Sequence, residues 1–420
     1  MVSQMKGHLT YYYSACVGIQ LDKLSILCDP WFTDGAYYGS WYQYPKLSCP
    51  LQTVGEYDYI FISHIHDDHL DLTFLRQYLD KFPSTRVLVA DRKYNYMASI
   101  LSRQQIPYNK ISAMEIHGYR ISILPYKDSV KWELDSALEI LHINTGQKIL
   151  NLNDIPYDED FLDAMAIRSG KLLGLLAGYT GAGPYPQTYY SENDPELLVK
   201  AQQKKESFLL NFQKTCQILR PLWVLPFAGK YYLGGKNINL NDCRGVADAL
   251  ETKSLYDNVI VPVDGGLGVI DINSGSCSEQ RAFFYSTDKV NEYLSSLAPL
   301  PYSYSCDPNP DVPLLRSQLI DAFQNAVQRI TEFSDAAEYG CDYIFFLIDD
   351  NMIPFEQLSF LPHLKNRIKY NIQIDSRLLS GILSRKYFWD VAEIGSHIQV
   401  RRIPDHYERL HQKLLCFMYN

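Results

Sequence analysis

Three histidines and an aspartate lie within six consecutive positions of the chain. They are His64, His66, Asp68 and His69 in the segment SHIHDDHLD. In an extended segment, side chains two positions apart lie on the same side, so His64 and His66 are placed to bind one ion, while a turn into a helix directs Asp68 and His69 toward a second. Imidazole and carboxylate groups are ligands of zinc, iron and manganese. The spacing therefore predicts a centre for one or two metal ions rather than solvated histidines beside a helix cap.

The elements that position this segment are predicted from the hydrophobic pattern. An apolar strand over 57–63 precedes it, and a helix follows it, with Leu72, Leu75 and Leu79 on one face. A hairpin around the polar turn at 21–23 opens the chain, and a long helix over 194–220 begins with a proline and ends before one. Further strands are predicted over 86–90, 120–125, 136–143 and 148–154. Strands interleaved with helices predict an α/β (α+β) chain of two mixed sheets with helices outside.

The length and composition indicate two folded units. At 420 residues the chain exceeds the roughly 250–300 residues of a single core. A stretch rich in serine and proline near 272–310 predicts a boundary between a metal-binding domain over 1–272 and an accessory domain over 273–420. The nine cysteines have no paired spacing, which favours reduced thiols over disulfides or a zinc knuckle.

The charge and the absence of long apolar segments restrict the partners. A net charge of −9 argues against nucleic acid or an anionic membrane as the main partner. No apolar run approaches the roughly 18 residues of a membrane span, and the N-terminus has no secretory pattern. We therefore expect a cytoplasmic protein that acts on a small molecule.

The HxHxDH pattern at the end of a strand resembles the signature of the metallo-β-lactamase fold, an αββα sandwich whose members are mostly metal-dependent hydrolases, with some oxidoreductases. Further segments resemble the lactamase-like portion of CMP-N-acetylneuraminate hydroxylases and bacterial relatives; they are 28–45, 149–154, 178–190 and 226–232. The resemblance covers about residues 8–270. It implies an αββα sandwich followed by a smaller C-terminal α+β domain.

This resemblance also implies roles for aspartates outside the motif. Asp154 ends a predicted strand, where the fold's bridging carboxylate would contact both ions, and Asp68 and Asp154 would act in catalysis. Asp29 would support a metal-bound histidine. The alternative for Asp29 and Asp154 is a turn aspartate that bonds the local backbone.

The chain departs from the resembled pattern at two ligand positions. A third and a fourth histidine are missing, and His117 and His142 are expected at the far end of their strands. The loop over 126–135 offers Asp128, Glu133 or Asp135 for the third position, and Asn237 or Asn239 lies near the fourth. A site rich in carboxylates favours iron handling oxygen, or a single ion with open positions.

Three residues are predicted to bind substrate. Trp31 and Tyr185 lie in aromatic or glycine-rich loops suited to stacking on a sugar or base, and Lys230 is placed to neutralise a phosphate or carboxylate. The alternatives are lid packing for the aromatic residues and a solvated charge for the lysine.

Three functions remain open from the sequence. The first is a metal-dependent hydrolase in which zinc or iron activates water against a phosphorylated, acylated or nucleotide-linked metabolite, with a sugar as the favoured class. The second is an iron-dependent oxygenase that hydroxylates a nucleotide sugar or related compound. It would need a separate electron-transfer partner, because the CxH and CxxH pairs of an iron–sulfur domain are absent. The third is a scaffold with a degenerate site.

Overall fold

The computed structural model describes residues 4–131, 133–331, 337–348 and 353–420. Its strands are β1 (Gly7–Tyr13), β2 (Cys16–Leu21), β3 (Leu24–Cys28), β4 (Trp41–Tyr42), β5 (Tyr59–Phe61), β6 (Arg86–Ala90), β7 (Tyr108–Ile111), β8 (Ala113–Ile116), β9 (Tyr119–Pro125), β10 (Ser136–His142), β11 (Gln147–Asn151), β12 (Lys171–Gly178), β13 (Trp223–Phe227), β14 (Tyr232–Leu233), β15 (Gly268–Asp271), β16 (Gly340–Leu347), β17 (Pro354–Phe360), β18 (Arg367–Ile374) and β19 (Gln399–Ile403). Its helices are α1 (Ala36–Gly39), α2 (Pro50–Val54), α3 (Leu72–Lys81), α4 (Tyr96–Arg103), α5 (Glu159–Ala166), α6 (Glu196–Leu219), α7 (Thr287–Leu297), α8 (Val312–Ile330), α9 (Ser376–Leu383), α10 (Trp389–Ile394) and α11 (Arg409–Cys416).

Two mixed sheets form the centre of the molecule. The first has the strand order β15-β1-β2-β3-β5-β6-β7, and the second has the order β13-β12-β11-β10-β9-β8. Inward residues such as Phe61 and Ile140 pack between the sheets, while outward residues such as Ile60 pack under α3 and α4. Phe212 of α6 covers the outer face of the second sheet. The layers are therefore helix, sheet, sheet, helix, as predicted.

Successive side chains along a strand point to opposite faces of the sheet. Both faces are buried, which explains the nearly continuous apolar runs. Burying one such side chain contributes about 1.5–3 kcal/mol. The arrangement also brings several strand ends to one edge. β3 and β5 are parallel, as are β11, β12 and β13, so their carboxyl ends share an edge within each sheet.

One predicted element differs in detail. The first predicted strand of the opening hairpin is two strands, β1 and β2, because the chain turns at Ser14, whose φ is 47°. The hairpin around 22–23 joins β2 and β3 as predicted. The predicted helix after the histidine motif is α3, and Asp71 caps it by accepting a hydrogen bond from Phe74 N at 2.9 Å.

The C-terminal region forms a second core. A four-stranded sheet in the order β17-β16-β18-β19 packs with α8, α9 and α11. The domain boundary at 272/273 stays a prediction. The segment just beyond it forms backbone hydrogen bonds with residues before it: Ser278 N donates to Val269 O and Arg281 N donates to Val261 O, both at 2.8 Å. Within the described ranges, no helix is long and apolar enough to cross a bilayer.

Candidate metal centre

The histidine motif lies in a tight turn between β5 and α3. His69 N and Leu70 N both donate to His66 O, at 3.0 and 2.8 Å, so the chain folds back on itself directly after the strand. This turn buries His64, Asp68 and His69 to 2% exposure or less, while His66 is only half-buried.

Three potential ligand atoms converge beside this turn. One atom each from His64, His69 and Asp154 lie within 4.8 Å of one another. His69 Nε2 is 3.4 Å from Asp154 Oδ2 and 3.6 Å from Asp68 Oδ2. It is buried and has no hydrogen-bond partner among the described residues. A buried nitrogen without a partner is costly, and a bound cation would satisfy it, so this donor set fits a metal ion.

Asp29 supports the ring of His69 from the opposite side. Its Oδ2 lies 3.2 Å from His69 Nδ1, and its Oδ1 accepts a hydrogen bond from Ser63 N at 2.8 Å. The contact at Nδ1 leaves Nε2 free to face Asp68 and Asp154. A carboxylate behind a histidine in this way is the usual support of a metal-bound imidazole, which is the arrangement expected for Asp29.

The structure brings the members of each predicted pair close together, and it also brings the two pairs next to each other. His64 lies with His69 and Asp154, whereas His66 stands at its side, with its Nδ1 2.8 Å from His64 Nε2. Ser63 Oγ also contacts His64, at 2.9 Å from its Nδ1. The assignment of His66 and Asp68 as ligands stays a prediction.

Asp135 is one of the three carboxylates of the loop 126–135 that were predicted as a substitute third ligand. Its Oδ1 lies 3.5 Å from His64 Nδ1, and its side chain is 18% exposed. Of the two other candidates in the loop, Asp128 accepts a hydrogen bond from Lys93 N at 2.9 Å, and Glu133 pairs with Arg409. The structure therefore brings only Asp135 of these three carboxylates to the histidines.

Several carboxylates of the cluster act on the pKa of His69. Burial lowers the pKa of His69, but Asp154, Asp68 and Asp29 together raise it well above the ordinary value. Burial raises the pKa of Asp68, and it raises that of Asp135 to about 6, helped by Asp154. Burial and the neighbouring imidazoles hold the pKa of His64 well below the ordinary value. Asp154, Asp68 and Asp29 surround the buried imidazole of His69, and a bound cation would offset their negative charge.

A cavity of about 430 Å³ opens beside the cluster. His66, Asp135, Asp154 and Tyr37 form its polar corner. The remaining lining includes the loop 180–183, the apolar Leu152, Ile155, Phe208 and Ile394, and the polar Asn211 and Thr215. Among the described residues, no lysine or arginine lines it.

Asn153 in the cavity wall was not expected to have a functional role. It is fully buried with φ at 52°, and neither atom of its carboxamide has a hydrogen-bond partner in the described part of the chain. The sequence suggested only a turn residue here. A buried amide without partners beside Asp154 stands to gain from binding a polar ligand.

The residues predicted to bind substrate lie away from this cavity. Trp31 is 2% exposed and packs edge-on against Tyr13, because a large apolar ring is more stable in the core than on a rim. Tyr185 OH donates to Asp405 Oδ2 at 3.0 Å. Lys230 Nζ donates to Asp264 Oδ2 at 2.7 Å, since a buried ammonium needs a buried counter-ion.

The remaining histidine and asparagine candidates are also elsewhere. Asn237 Nδ2 donates to Ser396 O at 2.8 Å, and Asn239 is exposed. His142 Nδ1 lies 2.7 Å from Thr145 Oγ1 at the far end of β10, and His117 lies in the turn between β8 and β9. In the described chain, none of these four residues takes the place of the missing histidines.

Residues 8–139 match the family model described as the beta-lactamase superfamily domain. This part of the chain is therefore similar to that domain. The domain supplies His64, His66, Asp68, His69 and Asp135, whereas Asp154 lies beyond the matched residues. The chain thus combines a metal-binding fold with a cluster of two histidines and an aspartate.

The chain is similar to longer proteins. It is 26% identical over 322 residues to a Mycobacterium tuberculosis protein named for a Rieske 2Fe-2S iron-sulfur centre, an alignment covering 67% of this chain. The chain spans 59% of the length of that relative. It is 25% identical over 450 residues to the cytidine monophosphate-N-acetylneuraminic acid hydroxylase of Xenopus laevis, covering 95% of this chain and 70% of the relative. Among solved structures, the metallo hydrolase Igni18 of Ignicoccus hospitalis is 16% identical, with a TM-score of 0.42, covering 62% of this chain and 96% of that one.

Proposed function

We propose that the chain is the catalytic part of an iron-dependent oxygenase that hydroxylates a small molecule. The observation that carries the proposal is the convergence of His64, His69 and Asp154 within 4.8 Å. Two histidines and one carboxylate with open positions are the ligand set of non-haem iron oxygenases. Catalytic zinc sites also use two histidines and one carboxylate, so the preference for iron depends on the other donors near the cluster.

Two further observations support iron over zinc. Asp135 lies beside His64 and offers an oxygen donor near the cluster. The similarity to a hydroxylase extends over 95% of this chain, including the C-terminal region. Oxygen donors shift the preference of a site toward harder metal ions.

The residues would divide the work as follows. His64, His69 and Asp154 would hold a first ion, and Asp68, Asp135 and His66 are the donors for completing its shell or binding a second. Bound iron would supply the oxygen-activating chemistry. Asp29 orients His69, and the apolar wall of Leu152, Ile155 and Phe208 keeps bulk water from the reacting carbon.

The cavity limits which part of a substrate can enter. Because no lysine or arginine is among its described lining residues, a phosphate inside it would lack a side-chain counter-charge. We therefore propose that an uncharged, hydroxyl- or amide-bearing part of the substrate enters, such as the sugar of a nucleotide sugar. The charged part would stay at the mouth.

Hydroxylation requires an electron donor. A C–H bond, O₂, two electrons and two protons give C–OH and water. The nine cysteines are free thiols scattered through the fold, and no described cysteine belongs to the metal-type cluster. The two electrons would come from an iron–sulfur centre outside the residues that the structure describes.

A hydrolase using the same donors is the second candidate. It is favoured by one feature, the partly exposed carboxylate of Asp135 in the cavity lining, which is placed to accept a proton from an attacking water. In that case zinc would serve as well as iron and oxygen would not be required.

An isotope experiment separates the two functions. The protein is loaded anaerobically with Fe²⁺ or with Zn²⁺ and given a chemical reductant and a panel of nucleotide sugars under ¹⁸O₂. We expect a product heavier by one ¹⁸O atom with iron only. His64→Ala should abolish it, while His142→Ala, a buried histidine at the far end of β10, should not.

Other results would contradict the oxygenase. Turnover of the same panel with zinc and without O₂ would establish the hydrolase. Equal product from wild type and His64→Ala would exclude this site from the reaction.

A further inference from the structure

We propose that the C-terminal region completes the metal centre, because its turn 394–397 holds Tyr37 in the position from which Tyr37 fixes Asp67 and Asp68. This inference rests on the proposed metal site and gives His397 and Tyr37 the role of positioning residues. The sequence of the C-terminal region does not by itself indicate this role.

Tyr37 contacts two consecutive carboxylates of the metal-binding turn. Its hydroxyl donates to Asp68 Oδ1, and its backbone N donates to Asp67 Oδ2 at 2.9 Å. The ring is 1% exposed, packs on Trp41 with centroids 4.4 Å apart, and contributes to the cavity wall. A shift of Tyr37 would therefore move the Asp68 carboxylate that faces His69.

The backbone of Tyr37 is in an unfavourable conformation. Tyr37 has φ 53° and ψ 58°, and Tyr38 has φ 58° and ψ 32°, both in the left-handed region that side chains with a Cβ seldom adopt. Two successive residues of this kind persist only when their surroundings hold them.

The C-terminal region supplies that support. His397 is buried, and its Nε2 donates to Tyr37 O at 2.7 Å. The same region contacts both sides of Tyr37, since Phe388 N donates to Tyr38 OH at 2.7 Å and Trp41 Nε1 donates to Ile394 O at 3.3 Å.

The turn is shaped for this close approach. A Cβ at Gly395 would lie 2.9 Å from Tyr37 O and 2.7 Å from His397 Cδ2, so only glycine lets the turn reach the tyrosine. Asn237 fixes the turn from the other side by donating to Ser396 O at 2.8 Å. Ile394, at the start of the turn, lines the cavity itself.

The chain offers a matched control for His397. His411 is also buried in the C-terminal region, and its Nε2 donates to a backbone carbonyl, Tyr339 O, at 2.8 Å. The two histidines make the same kind of bond in the same part of the fold. The bond of His397 is to Tyr37, which contacts the metal-binding turn, whereas the bond of His411 is to Tyr339.

The test compares metal binding by the full chain carrying His397→Leu, His397→Gln, Tyr37→Phe or His411→Leu. Affinity for Co²⁺ is measured by competition with a chelator, and the visible spectrum of bound Co²⁺ reports its coordination. Thermal unfolding of the metal-free proteins measures stability separately. We expect His397→Leu and Tyr37→Phe to weaken binding about 10- to 100-fold, the usual effect of losing a support of a ligand, and to alter the spectrum. His397→Gln, which retains an N–H donor, should restore much of the affinity.

The variants distinguish a positioning role of His397 from a purely structural one. If His397→Leu and His411→Leu lose stability equally and bind Co²⁺ as wild type does, the inference is wrong. If His397→Leu does not fold, Tyr37→Phe decides, because it removes a single hydroxyl: unchanged affinity and spectrum would overturn the proposal. A wild-type protein that binds no Co²⁺ or iron would instead contradict the proposed function on which the inference rests.

Discussion

The carboxylate of Asp135 lies 3.5 Å from Nδ1 of His64, at the start of β10 and next to the edge where β5 ends. Through this contact, a carboxylate oxygen lies next to the imidazole of His64. It sets the expected metal preference.

Asp135 should therefore control which metal binds. Asp135→Ala should lower iron affinity by at least about tenfold, and Asp135→His should shift the preference toward zinc because it replaces an oxygen donor with a nitrogen donor. Competition titrations with Fe²⁺ and Zn²⁺ measure both effects. Asp128→Ala is the control, since Asp128 lies in the same loop but bonds Lys93 N. Equal effects of the two alanine variants would exclude a ligand role for Asp135.

Metal binding should release protons and weaken in acid. The surrounding carboxylates raise the pKa of His69, so an ion at Nε2 competes with a more tightly held proton. The pKa of Asp135, raised by burial to about 6, adds a second competition, since the carboxyl is neutral below that pH and ionised above it. Affinity should fall as the pH drops through 6. Calorimetry at pH 7 in buffers of different ionisation enthalpy should show proton release, and heats independent of the buffer would contradict it.

The loop 180–183 offers a pair of glycines that tests the cavity. A Cβ at Gly181 would lie 2.2 Å from the Phe208 ring, whereas one at Gly183 would meet nothing within 4 Å. Both residues line the cavity. Gly181→Ala should displace Phe208 and raise the KM without changing metal content, while Gly183→Ala should behave as wild type. Matching KM values for the two variants would place the substrate elsewhere.

Lys230 should matter for stability and not for the metal. Its ammonium is paired with Asp264, whose side chain is 3% exposed. Lys230→Met would leave a buried carboxylate without its cation, at a cost of about 3–5 kcal/mol in the free energy of unfolding. Denaturant titration measures this loss, and Lys230→Met with Asp264→Leu should recover part of it. Weakened metal or substrate binding by a folded Lys230→Met protein would instead support the predicted role of Lys230 in binding substrate.

The parts of the site that the sequence could predict are local. The motif 64–69 and Asp154 each follow a strand, so pattern and position together indicated their chemistry. The choice of Asp135 over Asp128 and Glu133 depends on where β10 begins relative to β5, which only the assembled sheets determine.

The contacts that Lys230 and Tyr185 make could not be predicted, because their partners are distant in the chain. Asp264 is 34 positions from Lys230, and Asp405 is 220 from Tyr185. The contribution of His397 to Tyr37 spans 360 positions. No local spacing reports such contacts.

The proposed function requires that His64, His69 and Asp154 bind iron. The most direct test is the iron content of the full chain after anaerobic loading with Fe²⁺ and removal of loosely bound metal, compared with that of His69→Ala and of His142→Ala. We predict one or two irons per chain for wild type and His142→Ala, and loss of iron from His69→Ala. Iron-free wild type, or equal iron in His69→Ala, would contradict the account.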